Sequence, residues 1–161
     1  MRITIISDTH IYSIKNLPDQ LLDDISSSEA VIHAGDIVGL KAYNELKEIS
    51  KRLYAVKGNM DVEIEGLEDE LIFQLGKFKI GLTHGHKYNN LYNGLIYNFS
   101  ECDIVVFGHI HSPYFYREKN LCLINPGSTS KNRWKNKNSY AIMDIMDIYE
   151  KDFKVTFVDI S

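Results

Sequence analysis

The stretch Asp103-Ile-Val-Val-Phe-Gly-His-Ile-His111 couples a buried-strand pattern to two imidazoles one residue apart. Its four apolar residues, 104–107, read as a strand covered on both faces, and the glycine after them ends it. His109 and His111 then stand at the strand's C-terminal mouth, the place where open α/β sheets bind ligands.

Upstream, strand and helix patterns alternate. Residues 3–6, 30–33 and 53–56 read as strands, and 17–27 and 40–50 as helices, the first with an apolar face of Leu21, Leu22 and Ile25. This is the βαβ signature of a mostly parallel sheet flanked by helices. Residues 71–75 and 78–82, joined by Gly76-Lys77, predict a hairpin, and 90–100 a helix. Downstream, strands are expected at 114–117, 121–124, 139–145 and 153–158. No linker or internal repeat interrupts the 161 residues, so one domain is expected over 1–161, with two sheets face to face and helices outside.

Eighteen basic against 22 acidic residues leave a net charge of -4, which argues against bulk attraction to nucleic acid or an anionic membrane. No apolar run approaches the roughly 18 residues of a membrane span. The opening Met1-Arg-Ile-Thr-Ile-Ile-Ser7 is cut short by Asp8 and His10, so it reads as a strand and not as a signal peptide. Cys102 and Cys122 have no metal-binding spacing and read as buried thiols of a reducing, cytoplasmic protein.

Five polar clusters follow expected strands: Asp8-Thr9-His10, Gly35-Asp36, Gly58-Asn59-Met60-Asp61, Thr83-His84-Gly85-His86 and Gly108-His109-Ile110-His111. Every histidine but His33 falls in one of them. Any single cluster has a plain reading: Asp36 can cap the next helix, and Asn59 or Asp61 can serve a turn. Five together point to a shared site. Oxygen and imidazole ligands without thiolate suit Mn, Fe, Co, Ni or Zn. Seven candidate ligands are too many for one ion and suit two, roughly 3.5–4 Å apart and bridged by a carboxylate. The glycines before Asp36, Asn59 and His109 allow sharp turns at strand tips.

The order Asp-x-His, Gly-Asp, Gly-Asn-x-Asp, His-Gly-His and Gly-His-x-His resembles that of the calcineurin-like metallophosphoesterases, and Asn125-Pro-Gly-Ser128 resembles their small bacterial and archaeal phosphodiesterase branch. The resemblance runs from Ile3 to about Val158. It implies a four-layer α/β/β/α sandwich of two mixed sheets with the site along one edge. It further implies that Asp8, His10, Asp36 and His111 hold a first ion, and that Asp36 bridges to a second held by Asn59, His84 and His109. The implied ions are divalent transition metals, manganese foremost, with Ni, Fe, Co or Zn as alternatives. The implied reaction is hydrolysis of a small phosphate diester by in-line attack of a hydroxide between the ions. Asp36, Asn59 and His109 are the implied catalytic residues, and Asn59 would also donate to a phosphate oxygen.

Many members of the family carry His where this chain has Met60, which has no proton to give a leaving group. That lack can cost about 10²–10⁴-fold with poor leaving groups. His86 has three open readings: contact with substrate phosphate, orientation of His84, or packing beside the site. His33, ending a buried strand, reads as a hydrogen-bonded structural residue, and 125–128 as a tight turn near the site. The basic run Lys131-Asn-Arg-Trp-Lys-Asn-Lys137 reads as a solvated loop, with phosphate or nucleic-acid stacking on Trp134 as its sharper reading. Tyr88, Tyr92, Tyr97 and Phe99 read as core and interface. Tyr114, Phe115 and Tyr116, on an expected edge strand, could form a homodimer contact. Two rival functions remain: a phosphomonoesterase, and a non-catalytic metal-binding scaffold or interaction module. The metallophosphoesterase-like subunit of the retromer coat represents the second, but its positions matching Asp36 and Asn59 have drifted.

Overall fold

Each strand and helix expected from periodicity forms, with ends set by local chemistry. The computed structural model describes residues 1–130, 137–147 (main chain alone at 147) and 151–160. In chain order its elements are β1 (Arg2–Ile6), α1 (Asp19–Ser27), β2 (Ala30–His33), α2 (Leu40–Ile49), β3 (Leu53–Ala55), β4 (Glu70–Leu75) and β5 (Phe78–Thr83). Then come α3 (Leu91–Asn98), β6 (Ile104–Phe107), β7 (Pro113–Glu118), β8 (Leu121–Pro126), β9 (Asn138–Asp147) and β10 (Asp152–Ile160). Helix α1 starts two residues later than expected because Pro18 holds φ -62°, ψ 144° and biases Leu17 to extended backbone as well. Helix α3 is shorter than 90–100 because Asn90 is its cap, its side chain accepting from Asn93 N–H.

Two five-stranded mixed sheets result, in the orders β10-β9-β1-β2-β3 and β4-β5-β6-β8-β7. In the first, β1, β2 and β3 run parallel and β9 lies antiparallel to β1. In the second, β5, β6 and β8 run parallel, with β4 and β7 antiparallel at the edges. Alternate residues of each central strand face opposite layers. Ile3, Ile5, Ile32, Ile104, Val106 and Ile124 meet between the sheets. Val31 and Ile142 instead pack on Leu21, Ile25 and Leu46 of α1 and α2. Val105 and Leu123 pack on Leu95 of α3 and on Phe99. The layers are therefore helix, sheet, sheet, helix. Burial on both faces explains why 30–32 and 104–107 read as unbroken apolar runs.

The parallel strands of both sheets end on the same edge, and all five polar clusters sit there. Cys102 and Cys122 are buried free thiols. Edge strand β7 leaves Phe115 and Tyr116 exposed. Among the described residues, no helix is long and apolar enough to cross a membrane. Residues 131–136, which include Trp134 and most of the basic run, lie outside the described residues.

Candidate metal centre

Strand β1 delivers Asp8 and His10, β2 delivers Asp36, the turn after β3 delivers Asn59, β5 delivers His84, and β6 delivers His109 and His111. Asp8, His10 and His111 bring ligand atoms within 4.8 Å of one another, and so do Asp8, Asp36 and His84. Asn59 Oδ1 lies 3.1 Å from His84 Nε2. The His109 ring centroid lies 5.2 Å from that of His84. The structure thus gathers all seven sequence-predicted ligands into one cleft.

Backbone geometry aims them. Asp8, His10, Asp36, His109 and His111 have φ between 47° and 70°, the left-handed region that non-glycine residues seldom occupy. Such conformations persist where the surroundings enforce them, and they gather at functional sites. Gly35 has φ 93°, as a sharp turn needs. Gly58 and Gly108 serve another purpose, close approach: a Cβ on Gly58 would stand 2.2 Å from Asp36 Oδ1, and one on Gly108 2.1 Å from Ser7 Oγ.

Asp8 and Asp36 each commit one carboxylate oxygen to the protein and turn the other to the cleft. Asp8 Oδ2 accepts from Ser7 Oγ at 2.6 Å and from His109 N–H at 3.1 Å. Its Oδ1 faces His111 Nε2 at 3.1 Å and His84 Nε2 at 3.9 Å. Asp36 Oδ1 accepts from Met60 N–H, while Oδ2 faces His84 Nε2 at 3.5 Å and His10 Nε2 at 3.7 Å. His84 Nδ1 donates to the Ala34 carbonyl at 2.7 Å, which aims Nε2 into the cleft, where it offers a lone pair whenever the ring is neutral. Oxygens of Asp8, Asp36 and Asn59 face that same nitrogen.

So many acceptors around one point need a positive charge among them. The electrostatics agree. Burial acts against the Asp36 carboxylate, but the His84 hydrogen bond and charge and the Met60 N–H outweigh it and hold its pKa at about 2. Burial likewise opposes the Asp8 carboxylate, and His111, His84 and Ser7 reverse it, lowering that pKa. Burial depresses His84, but Asp36 and Asp8 overcome it and raise its pKa. Hard oxygens with imidazole nitrogens, preset in a buried cleft, fit divalent transition-metal ions.

Around this centre are residues whose roles sequence reading left partial. Asp61, fully buried, binds three backbone N–H groups at 2.8 Å each: Asp36 and Gly58 through Oδ2, and Val38 through Oδ1. It ties the β2 loop to the β3 loop. Ser128 Oγ donates to the Asp8 carbonyl at 2.8 Å, and Asn125 Nδ2 to the Gly108 carbonyl at 2.9 Å. The Asn-Pro-Gly-Ser turn thereby fixes two ligand loops. Ser7 and the Ala34 carbonyl carried no sequence signal as ligand-orienting groups. The half-buried His86 ring lies 5.3 Å from that of His84, and its Nδ1 has no hydrogen-bond partner among the described residues. With Lys57, Asn59 and Lys87 it lines a cavity of about 480 Å³ beside the centre.

His33 stays outside the ligand set. Its Nδ1 accepts from Gly35 N–H at 3.1 Å, and its Nε2 lies 3.0 Å from Thr9 Oγ1. Burial pushes its pKa down from 6.5 to about 4. Above pH 6.5 the ring is neutral both folded and unfolded. Between 6.5 and 4 the unfolded chain takes up a proton that the folded chain refuses, so stability falls with pH, by up to about 3 kcal/mol. Thermal unfolding of metal-free protein should therefore weaken more between pH 7 and pH 5 than that of His33→Gln. Equal pH slopes would contradict this.

Known proteins resemble this chain in sequence and in fold. A model of the calcineurin-like phosphoesterase superfamily domain matches residues 1–147. A probable metallophosphoesterase of Methanocaldococcus jannaschii is 34% identical over 133 residues, covering 80% of this chain and 68% of that protein. A phosphodiesterase of the same organism is 29% identical over 142 residues, 79% of this chain and 83% of the relative. Vps29 of Entamoeba histolytica, in a structure with zinc, matches with a TM-score of 0.77 at 25% identity over 99% of each chain. The chain belongs to the calcineurin-like phosphoesterase superfamily, whose members bind divalent metals.

Proposed function

We propose that this protein is a dinuclear metal-dependent phosphodiesterase. The observation that carries the reading is the position of Asp36 Oδ2 between His10 Nε2 at 3.7 Å and His84 Nε2 at 3.5 Å, imidazoles of two neighbouring ligand groups. In this reading Asp8, His10, Asp36 and His111 hold one ion, and Asp36, Asn59, His84 and His109 the other. Manganese is the first candidate, with Ni, Fe, Co or Zn behind it. When bound, the two ions lower the pKa of water to near neutrality and offset charge developing on the phosphoryl group.

The chain's own residues do the rest. Asn59 is exposed at the cleft, where its amide N–H can donate to a phosphate oxygen. The cavity lined by Lys57, His86 and Lys87 takes one arm of the diester. Met60, 49% exposed at the rim, has no proton for the departing arm. That favours diesters whose leaving groups are stable as anions. The relative that bears the name phosphodiesterase supports the same choice over a monoesterase. The alternative, a non-catalytic module, draws on the likeness to Vps29.

Hydrolysis of bis(4-nitrophenyl) phosphate in Mn²⁺, abolished by chelator and restored by metal, separates these readings. Absence of turnover with Mn, Ni, Co, Fe and Zn alike would leave the module. If Met60 limits leaving groups, Met60→His should raise kcat/KM for an alkyl diester relative to an aryl diester by about 10²-fold. Metal affinity should stay within a few-fold. An unchanged ratio would remove the leaving-group argument.

A further inference from the structure

We propose that the cavity at the far end of the second sheet binds a small oxyanion carrying two negative charges. Strands β5 and β6 run between it and the metal centre. Phe78 starts β5 and Asp103 precedes β6, while His84 and His109 follow their other ends. Six residues at about 3.3 Å each separate the two places by roughly 20 Å, so no group serves both.

The cavity holds about 350 Å³, enough for a small ligand, and Arg117, Lys119 and Lys151 line it together with Asp103. Asp103 is already committed: Oδ2 accepts from Lys79 N–H at 2.8 Å, and Oδ1 pairs with Lys151 Nζ. Arg117 and Lys119 make no ion pair among the described residues. Three cations against one carboxylate leave an excess of two positive charges here, in a chain whose net charge is -4.

The site is also braced. The Arg117 guanidinium sits 5.2 Å from the Phe153 ring centroid, and Phe153 meets Phe78 edge-on at 5.1 Å and 84°. Both rings are buried, so the guanidinium rests on a fixed apolar floor with less hydration to lose. Lys119 is held at φ 52° at the tip of the β7–β8 turn, which fixes the backbone that carries it to the rim. A planar donor fork flanked by two ammonium groups matches a phosphoryl dianion or a small dicarboxylate.

The test follows backbone amide resonances of the full, zinc-loaded chain at low salt during titration with inorganic phosphate and, separately, with succinate. We expect saturable shifts centred on Arg117, Lys119, Lys151 and Phe153, with Kd of about 1 mM or tighter for at least one probe. Whichever probe binds identifies the phosphoryl or the dicarboxylate source. Arg117→Gln should weaken binding about tenfold, and Lys119→Ala, at an exposed turn, about fivefold. Shifts confined to residues near His84 and His109, no saturation with either probe, or an affinity unchanged in both variants would overturn the proposal.

Discussion

Replacing Asp36 with alanine should cut phosphodiester hydrolysis by about 10³-fold or more. It should also lower the metal content of reconstituted protein from two ions to one or none. The reason lies in where its two oxygens stand. Oδ1 is fixed by the Met60 N–H, and Oδ2 lies between His10 Nε2 at 3.7 Å and His84 Nε2 at 3.5 Å. Those imidazoles belong to different halves of the proposed pair of sites, so Asp36 is the group placed to serve both. Its fold contribution is smaller, because one neutral-donor bond to Met60 is lost, costing about 1–2 kcal/mol. Kinetics against a diester and metal analysis of the same sample check this. Activity within tenfold of the parent, with two ions retained, would contradict it.

Asp61→Ala should have the reverse profile, a large loss of stability. Three backbone N–H groups, from Asp36, Val38 and Gly58, lose a fully buried carboxylate. A buried donor left unsatisfied costs about 1–3 kcal/mol. Allowing for loop relaxation, about 4 kcal/mol is expected, which is a fall in Tm of about 8–16 °C for a domain of this size. Asp61→Asn should recover part of this, since one oxygen remains while its amide N–H₂ faces a backbone donor. Metal affinity should fall as well, because Asp61 fixes the backbone at Asp36 and at Gly58, next to Asn59. A Tm within about 3 °C of the parent for Asp61→Ala, measured by calorimetry, would show that the loops hold without it.

The contrast between these aspartates marks what the sequence makes legible. Asp36, His84 and His109 stand out because a metal site needs O and N ligands, and strand ends gather them. Runs such as 30–33 and 104–107 announce buried strands, so the two-sheet architecture follows from periodicity. Asp61 reads as a turn residue because its partners, Asp36 and Val38, are 25 and 23 residues away, and hydrogen bonds to backbone leave no compositional trace. The Ser128 bond to the Asp8 carbonyl spans 120 residues and is equally silent. Left-handed backbone at Asp8, His10, Asp36, His109 and His111 is enforced by these contacts and not by the residues themselves. Gly58 and Gly108 are legible as glycines in turns, but the close packing that requires them appears only in three dimensions. The cation excess around Arg117 likewise arises from segments that meet only on folding.

The central claim is that two ions act together in one cleft. Stripping the protein of metal and titrating Mn²⁺ back, while following bis(4-nitrophenyl) phosphate hydrolysis, tests it most directly. Activity should rise with added metal and plateau at two equivalents per chain. A plateau at one equivalent, or no activity at any occupancy, would contradict the dinuclear account.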